Sequence, residues 1–470
     1  MKHITSFLKQ YYGYLFVLCY LIYLPVSWLL VLRDGRAVYT ILDFYPGLTV
    51  GFKVIEPHLV SYGINSIPTI IFLSIALLMF SLYFFALRQK KSVKKVIFFA
   101  IAFQAITFFS YPSLSTDIFS YIFSDRIVSV YHQNVWKTKP ITHNADPFSR
   151  LSDWQNNTRV YGGVNQAVYT GVSVVGGNNL LLLVMLYKGV AWIFTLATMR
   201  IVYLITKKYF SGREAFSLQL IFWNPLFVIE ILGSGHNDIL MIFFMLVAFY
   251  YFLEQKIFYT ALAITLGFQI KIIACVLFIF MGIALYQQKK YKQLSIFITS
   301  FILCNSIIFA LMGIDPLSYA RAIFFNTGVY WQGLPALLHR IFPDEKLIIF
   351  VGFILTFFFF VSLQLKKKVD PVTLYAGFIS VYLLFFASAY WNWYILWALC
   401  FVPFITYPRL IRMIIVLSCM SLLLYPTYWI ALRFGYEDFI WAFCIYGVLA
   451  ILPILAFFIR PSYVHYLLKD

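Results

Sequence analysis

The sequence predicts an all-α, polytopic integral membrane protein: one bundle of about 11–14 transmembrane helices, some short and broken, with a partly helical external segment over its mouth. Three observations predict it. The composition is 62% hydrophobic and only 11% charged, whereas soluble domains are about half apolar and one quarter charged. Mean hydropathy is +0.84, which excludes a soluble globular enzyme, and so apolar a chain is not disordered. Apolar runs also recur along the 470 residues, at about 11–32, 66–87, 96–111, 179–206, 215–232, 239–253, 257–269, 272–287, 294–312, 347–364, 372–388, 395–407, 410–430 and 439–459. Runs near 20 residues cross the hydrocarbon, and those near 13 are short for a straight crossing.

The net charge of +18 would suit nucleic acid, but its distribution points to topology. With the N-terminus inside and the runs alternating, the inside loops hold 21 Lys and Arg against four acids, and the outside segments 13 against 13. The excess is a positive-inside signal, not a ligand footprint. Residues 1–10 are short and basic, and the run that follows lacks a small-residue cleavage site, so it is expected to stay as the first anchor. Six cysteines (Cys19, Cys275, Cys304, Cys400, Cys419, Cys444) sit inside apolar runs without metal spacing; they read as core packing.

Inside loops such as Arg88-Gln89-Lys90-Lys91 and Lys366-Lys367-Lys368 read as topology determinants. Three external segments are much longer: 33–65, 112–178 and 313–346. Chemistry or recognition is expected on that face, within a single domain spanning 1–470.

Segment 112–178 opens with a helix signal. Ser115 or Thr116 can cap, and apolar positions 118, 119, 122 and 123 have helical spacing. Asp117, Tyr121 and Asp125 then share one face. The expectation is an interfacial helix resting its apolar side on the bilayer, with a carboxylate at the end where the helix dipole favours the ionised form. Further along come Asn144-Ala145-Asp146-Pro147-Phe148 and the turn-rich Tyr161-Gly162-Gly163. A second feature is Trp223-Asn224-Pro225, where proline should kink a helix, followed by Glu230 and the Gly233-Ser234-Gly235 break before His236-Asn237-Asp238. A carboxylate such as Glu230 within a span is usually paired and cavity-facing. Third, Lys271 lies between two short apolar stretches, at their expected outer tip. Fourth is the aromatic cluster Tyr390-Trp391-Asn392-Trp393-Tyr394 with Trp397.

Asp117 is the sharpest catalytic candidate. Glycosyl transfer from a lipid phosphate has a good leaving group, so one base acting on the acceptor hydroxyl suffices. Inversion needs only that carboxylate, whereas a retaining double displacement needs a second. The plainer alternative is a solvent-exposed helix cap. Asp125-Arg126 reads first as an intra-loop ion pair. His236-Asn237-Asp238 could order a sugar, a metal or a diphosphate, though one His beside one Asp is weak evidence for metal. Lys271 could meet a phosphate or snorkel to the interface. The aromatic cluster reads first as a membrane belt, although rings also stack on sugars. No glycine-rich nucleotide loop is present, nor a cytosolic domain able to hold a nucleotide fold, so an enzyme here would draw an activated donor from the membrane.

Taken together, these motifs resemble the GT-C superfamily of integral-membrane glycosyltransferases, and most of all the bacterial polyprenyl-phosphate-mannose-dependent α-1,6-mannosyltransferases. The resemblance runs from about Pro112 to Trp397. Asp117-Ile118-Phe119-Ser120-Tyr121 with Arg126 is similar to the external acidic motif that carries the catalytic carboxylate. Asn144-Ala145-Asp146-Pro147-Phe148 and Tyr161-Gly162-Gly163 look like degraded forms of the Asn-Pro-Tyr and Tyr-Gly-Pro elements, with Gly163 where proline is usual. Asn224-Pro225-Leu226 followed by Gly235-His236-Asn237-Asp238 is the most specific match. Lys271 falls at the lysine after the next helix, and Trp393-Tyr394 resembles the late Trp-Tyr pair. Many GT-C enzymes place the base in the first external loop, where this chain has Asp34 and Asp43; only Asp117 has the Asp-x-x-x-Tyr setting.

The resemblance implies an inverting transfer of a mannosyl, or other hexosyl, residue from a polyprenyl-phosphate-linked donor to a lipid-linked or glycan acceptor. The reaction would occur on the outer face of the plasma (inner) membrane, in cell-envelope glycan biosynthesis. Asp117 would be the base, while Arg126, Tyr121, His236, Asn237, Asp238, Lys271, Tyr161 and Trp393 would hold the donor phosphate and sugar. No cofactor is required; a divalent cation is compatible but not indicated. Membrane lipids are expected partners and nucleic acid is not. The alternative from another class is a flippase or transporter of a lipid-linked saccharide without bond chemistry. Its polar residues should continue to the inner face, yet Glu230, Lys188 and Arg200 form no obvious relay. A ligase moving whole glycan blocks would need a wider cleft and more paired basic residues outside.

Overall fold

Backbone within hydrocarbon must satisfy its own hydrogen bonds, which leaves helices as the natural solution for so apolar a chain. A computed structural model describes residues 2–30, 66–317, 319–320, 345–367, 369–387, 390–433 and 451–458. Among them the regular structure is helical: α1 (Lys2–Leu30), α2 (Ser66–Ala86), α3 (Val93–Phe108), α4 (Asp117–Ser129), α5 (Gly163–Gly176), α6 (Leu180–Tyr209), α7 (Glu214–Phe222), α8 (Pro225–Val228), α9 (Asp238–Leu253), α10 (Ile257–Phe268), α11 (Ala274–Gln287), α12 (Tyr291–Leu311), α13 (Glu345–Lys367), α14 (Pro371–Phe385) and α15 (Pro408–Arg433). Six described helices are long and apolar enough to cross a membrane, or seven if the bent pair Glu214–Phe222 and Pro225–Gly233 counts as one span; five apolar segments are shorter. The chain is a polytopic all-α membrane protein. Asp34, Asp43, all of 33–65, most of 313–346 and Cys444 lie outside the described residues; the five described cysteines are unpaired.

Breaks in the helices, more than the helices themselves, build the site. Pro225 has the expected effect: the chain bends by 58° between its two flanking helical segments. Asn224 supports the bend, its side-chain oxygen accepting from Leu226 and Phe227 N–H and its amide donating to Ser418 Oγ at 2.9 Å. Trp223 pins the other side, with its ring 5.2–5.9 Å from Tyr12, Phe16, Phe99 and Phe103 and its indole N–H on the Val96 carbonyl at 3.0 Å. After α8, a π-helical turn Ile229–Gly233 leads to Gly235 at φ +76°. A side chain at Gly235 would be strained there and would meet Ile118 Cδ1 at 2.7 Å.

The second break separates α10 from α11 and carries Lys271. Gln269 fixes it, donating to Asn305 Oδ1 at 2.8 Å and accepting from Gly163 N–H at 2.8 Å. Gly162 approaches so closely that a Cβ would lie 2.7 Å from the Gln269 carbonyl oxygen. The Tyr161-Gly162-Gly163 turn is therefore docked against the Lys271 break.

Helix α4 departs from expectation. Ile118, Phe119, Ile122 and Phe123 are buried within the protein, against α5 and α6, and do not rest on the bilayer. Helical periodicity identifies an apolar face but not what covers it. Thr116 makes no capping bond to the helix and donates instead to Asp153, while Ser115 Oγ accepts from Asp117 N–H at 3.2 Å.

Candidate active site

Asp117, the first residue of α4, is half-buried. Tyr121, one turn on, donates to its Oδ2 at 3.2 Å, and Trp154 donates to Oδ1 at 3.1 Å. The Tyr121 hydroxyl accepts in turn from Tyr161 at 3.4 Å. Burial pushes the Asp117 carboxyl above the ordinary carboxylate range; His236, the Trp154 N–H, Lys271 and the Tyr121 hydroxyl pull the other way. Loss of water thus outweighs the charge-favouring effect of the helix start. The result is a stronger base than a solvated carboxylate, with the Lys271 ammonium near enough to act on it.

His236, Asn237 and Asp238 are fully buried. The turn made by Gly233 to Gly235 brings His236 back onto Glu230, with Nε2 3.2 Å from Glu230 Oε2 and the His236 backbone N–H 3.4 Å from the Glu230 carbonyl. Its ring stacks on Trp393 at 3.7 Å between centroids. Asn237 donates to Asn165 Oδ1 at 3.2 Å. Asp238 opens α9 and accepts on Oδ1 from Lys271 Nζ at 2.8 Å and from Trp397 Nε1 at 2.5 Å. Lys271 is enclosed by aromatic faces, 5.4 Å from the Tyr161 centroid, 5.2 Å from Tyr394 and 5.7 Å from Trp397. Such a cage holds an ammonium group by charge–quadrupole attraction as well as by its ion pair.

Not every buried polar atom here has a partner. Among the described residues, His236 Nδ1, Asn237 Oδ1, Asp238 Oδ2 and Trp393 Nε1 make no hydrogen bond. Each such atom would cost about 1–3 kcal/mol if left permanently dry and unpaired. Such atoms occur elsewhere in the structure too, at Arg159 and Gln364 for example, but here they lie beside a partly open carboxylate.

Of the residues singled out from sequence, Asp117, Tyr121, Tyr161, His236, Asn237, Asp238, Lys271 and Trp393 come together. Arg126 does not. It lies nine residues along α4, about 13–14 Å from Asp117, and its guanidinium is taken by Asp146 Oδ2, the Gly177 carbonyl and Asn178 Oδ1 at 2.9–3.3 Å. Neither does Asp125 pair with its neighbour: it binds Arg159 at 2.8 Å, with Gln166 and Tyr187. The Trp393 and Trp397 rings are buried against the site and do not form a membrane belt.

Sequence reasoning missed Trp154 and Asn165, which reach the site from a loop and from α5. Periodicity carries no signal for such contacts. Glu230 was visible as an acid six residues before His236, but only the π turn and Gly235 show that the two meet. Among the described residues, no three His, Cys, Asp or Glu side chains gather as a metal site.

The membrane bundle, the broken helices and the acid–imidazole–ammonium grouping at the breaks are consistent with a GT-C glycosyltransferase, the class that the family match supports. More particularly, the chain belongs to the MptA_B family: the model for its alpha-(1->6)-mannopyranosyltransferase N-terminal domain matches residues 51–287, half of the chain. No curated protein and no solved structure matches. The matched stretch contains Asp117, His236, Asp238 and Lys271. Trp393 and Trp397 lie beyond it and reach back to complete the same site.

Proposed function

We propose that the protein transfers a mannosyl residue from a polyprenyl-phosphate-linked donor to a lipid-linked or glycan acceptor at the outer face of the membrane, with inversion at the sugar carbon. The observation that carries this is a partly open Asp117 held by Tyr121 and Trp154, with Tyr121 bonded to Tyr161, whose ring lies 5.4 Å from Lys271 Nζ. Of the three acids in the site, Glu230 and Asp238 are fully buried and ion-paired, and only Asp117 is partly open. One accessible carboxylate is what an inverting displacement needs.

Asp117 takes the proton of the acceptor hydroxyl as that oxygen attacks the anomeric carbon. The bond from that carbon to the phosphate breaks, and its electron pair leaves with the phosphate oxygen. Lys271 and His236 stabilise the charge that accumulates there, in surroundings where little water competes. Asn237 and Asp238 orient the sugar and the ammonium. No cofactor is assigned a role.

The outer-face assignment has support from where the basic loops fall. Lys208 binds Glu254, and Lys290 donates to Gln255 at 2.5 Å, so separate loops of the positive-inside set gather together. The site lies at the opposite ends of the attached helices: Asp238 opens α9, whereas Glu254 closes it.

The test uses purified protein in lipid nanodiscs with radiolabelled polyprenyl-phosphate-mannose and an oligomannoside acceptor. Wild type is expected to transfer label, and Asp117→Asn to lose nearly all turnover while remaining folded. Unchanged turnover in the variant removes Asp117 as base. Movement of the intact donor across the bilayer without bond cleavage would favour a transporter.

A further inference from the structure

The buried couple beneath the site has more structure than a phosphate contact requires. Glu230 sits in a π-helical turn, a geometry often retained at functional sites. It is fully buried and holds His236 twice, through the Nε2 contact at 3.2 Å and through its backbone carbonyl at 3.4 Å. Trp393 lies flat on the imidazole at 3.7 Å and 21°, restricting rotation of the ring. With Nε2 directed to a carboxylate, the ring's covalent geometry turns Nδ1 to the far side. That nitrogen is buried and makes no hydrogen bond among the described residues. Trp154, which donates to Asp117, packs edge-on against Trp391, and Trp391 stacks on Trp393, so the imidazole and the base are joined through one aromatic cluster. The ring is thus fixed at one nitrogen and open at the other, close to the base.

We propose that Glu230 is a positioning residue for the transfer reaction, holding His236 so that Nδ1–H is presented to the phosphate oxygen that leaves the sugar. This rests on the reading of the site given above. In this arrangement the Glu230 carboxylate lies at Nε2 and the phosphate oxygen at Nδ1, so that each ring nitrogen has its own oxygen partner. As the bond between the anomeric carbon and oxygen breaks, the electron pair passes to the phosphate oxygen, which accepts the Nδ1–H hydrogen bond. The acceptor proton goes separately to Asp117. Lys271 neutralises the phosphate from the other side, so the two groups have distinct supports: Asp238 with the aromatic cage for Lys271, and Glu230 with Trp393 for His236. Glu230 itself touches no substrate and acts only through the imidazole.

The distinguishing measurement is a mutant cycle on the purified enzyme, with polyprenyl-phosphate-mannose and oligomannoside, reporting kcat and both KM values. Glu230→Gln should lower kcat about 10–100-fold and leave the acceptor KM within twofold of wild type. Glu230→Asp, which keeps the charge one methylene further back, should recover part of the loss. The double variant Glu230→Gln/His236→Ala should turn over no more slowly than His236→Ala alone, because a positioning residue has no effect once its target is gone. A Glu230→Gln enzyme within twofold of wild type overturns the proposal, as do losses that multiply in the double variant. If Glu230→Gln does not fold, the same cycle run with Glu230→Asp decides by the same criterion. Asp117→Asn in parallel separates the two levels. An inactive Asp117→Asn beside an unaffected Glu230→Gln removes only this inference, whereas a fully active Asp117→Asn removes the reading of the whole site.

Discussion

Two polar clusters share helix α4, and they are built on opposite principles. Around its middle, the oxygens of each acid are filled from within the protein. Asp125 accepts from Arg159 and Gln166 on one oxygen and from Tyr187 on the other. Asp146 accepts from Arg126 and Tyr131 on Oδ2 and from Phe148 N–H on Oδ1. In the loop packed against the start of the helix, Asp238 Oδ2, His236 Nδ1 and Asn237 Oδ1 keep an unused face, and Asp117, though held by Tyr121 and Trp154, stays partly open. The same residue types therefore give a brace in one region and a site in the other. What separates them is access: Asp125 is fully buried among protein partners, whereas Asp117 stays partly open.

Substitutions can break or sharpen this contrast. The largest effect should come from Asp117→Asn: a loss of about 10³-fold in kcat, or roughly 4 kcal/mol of transition-state stabilisation, with little change in unfolding temperature. Asp125→Ala should do the reverse. It strands the buried Arg159 and should lower stability by about 3–5 kcal/mol, read as a fall in the thermal midpoint in detergent. If Asp125→Ala were as stable as wild type, the brace would be incidental. Lys271→Met should lower kcat/KM for the donor about 10–100-fold, corresponding to roughly 1.5–3 kcal/mol for a charge-assisted contact, and leave the acceptor KM unchanged. Gly235→Ala should cost about 1–2 kcal/mol through its positive φ and slow turnover by displacing His236, which a combined stability and rate measurement would detect. Smallest is the pH effect. Because burial raises the Asp117 carboxyl, activity should be lost on acidification at a pH above the ordinary carboxylate range, and the acid limb should disappear in the residual rate of Asp117→Asn.

Much of this was legible in sequence where one residue type dictates a local event. Pro225 predicted a bend and the bend is there. The short stretches on either side of Lys271 predicted a broken pair, and α10 and α11 are that pair. Asp117 and Tyr121 were placed on one face by helical spacing and do touch. Arg126 was misjudged for a physical reason: position on a motif does not reveal whether a distant acid, here Asp146, will claim a guanidinium first. Trp154 was missed because a loop contact across 37 residues leaves no periodic trace. The apolar face of α4 was expected on lipid and instead packs on protein, since both surroundings select the same side chains.

The amino-acid sequence by itself determined that this chain is a many-helix membrane protein, where its helices break, and which acids and cations stand at the breaks, because hydropathy, proline, glycine and charge act locally. Only the tertiary structure decided which of those charges neutralise one another and which remain open. An ion pair depends on separations of a few ångströms between segments far apart in the chain, and that distance is set by packing rather than by any residue's own preference.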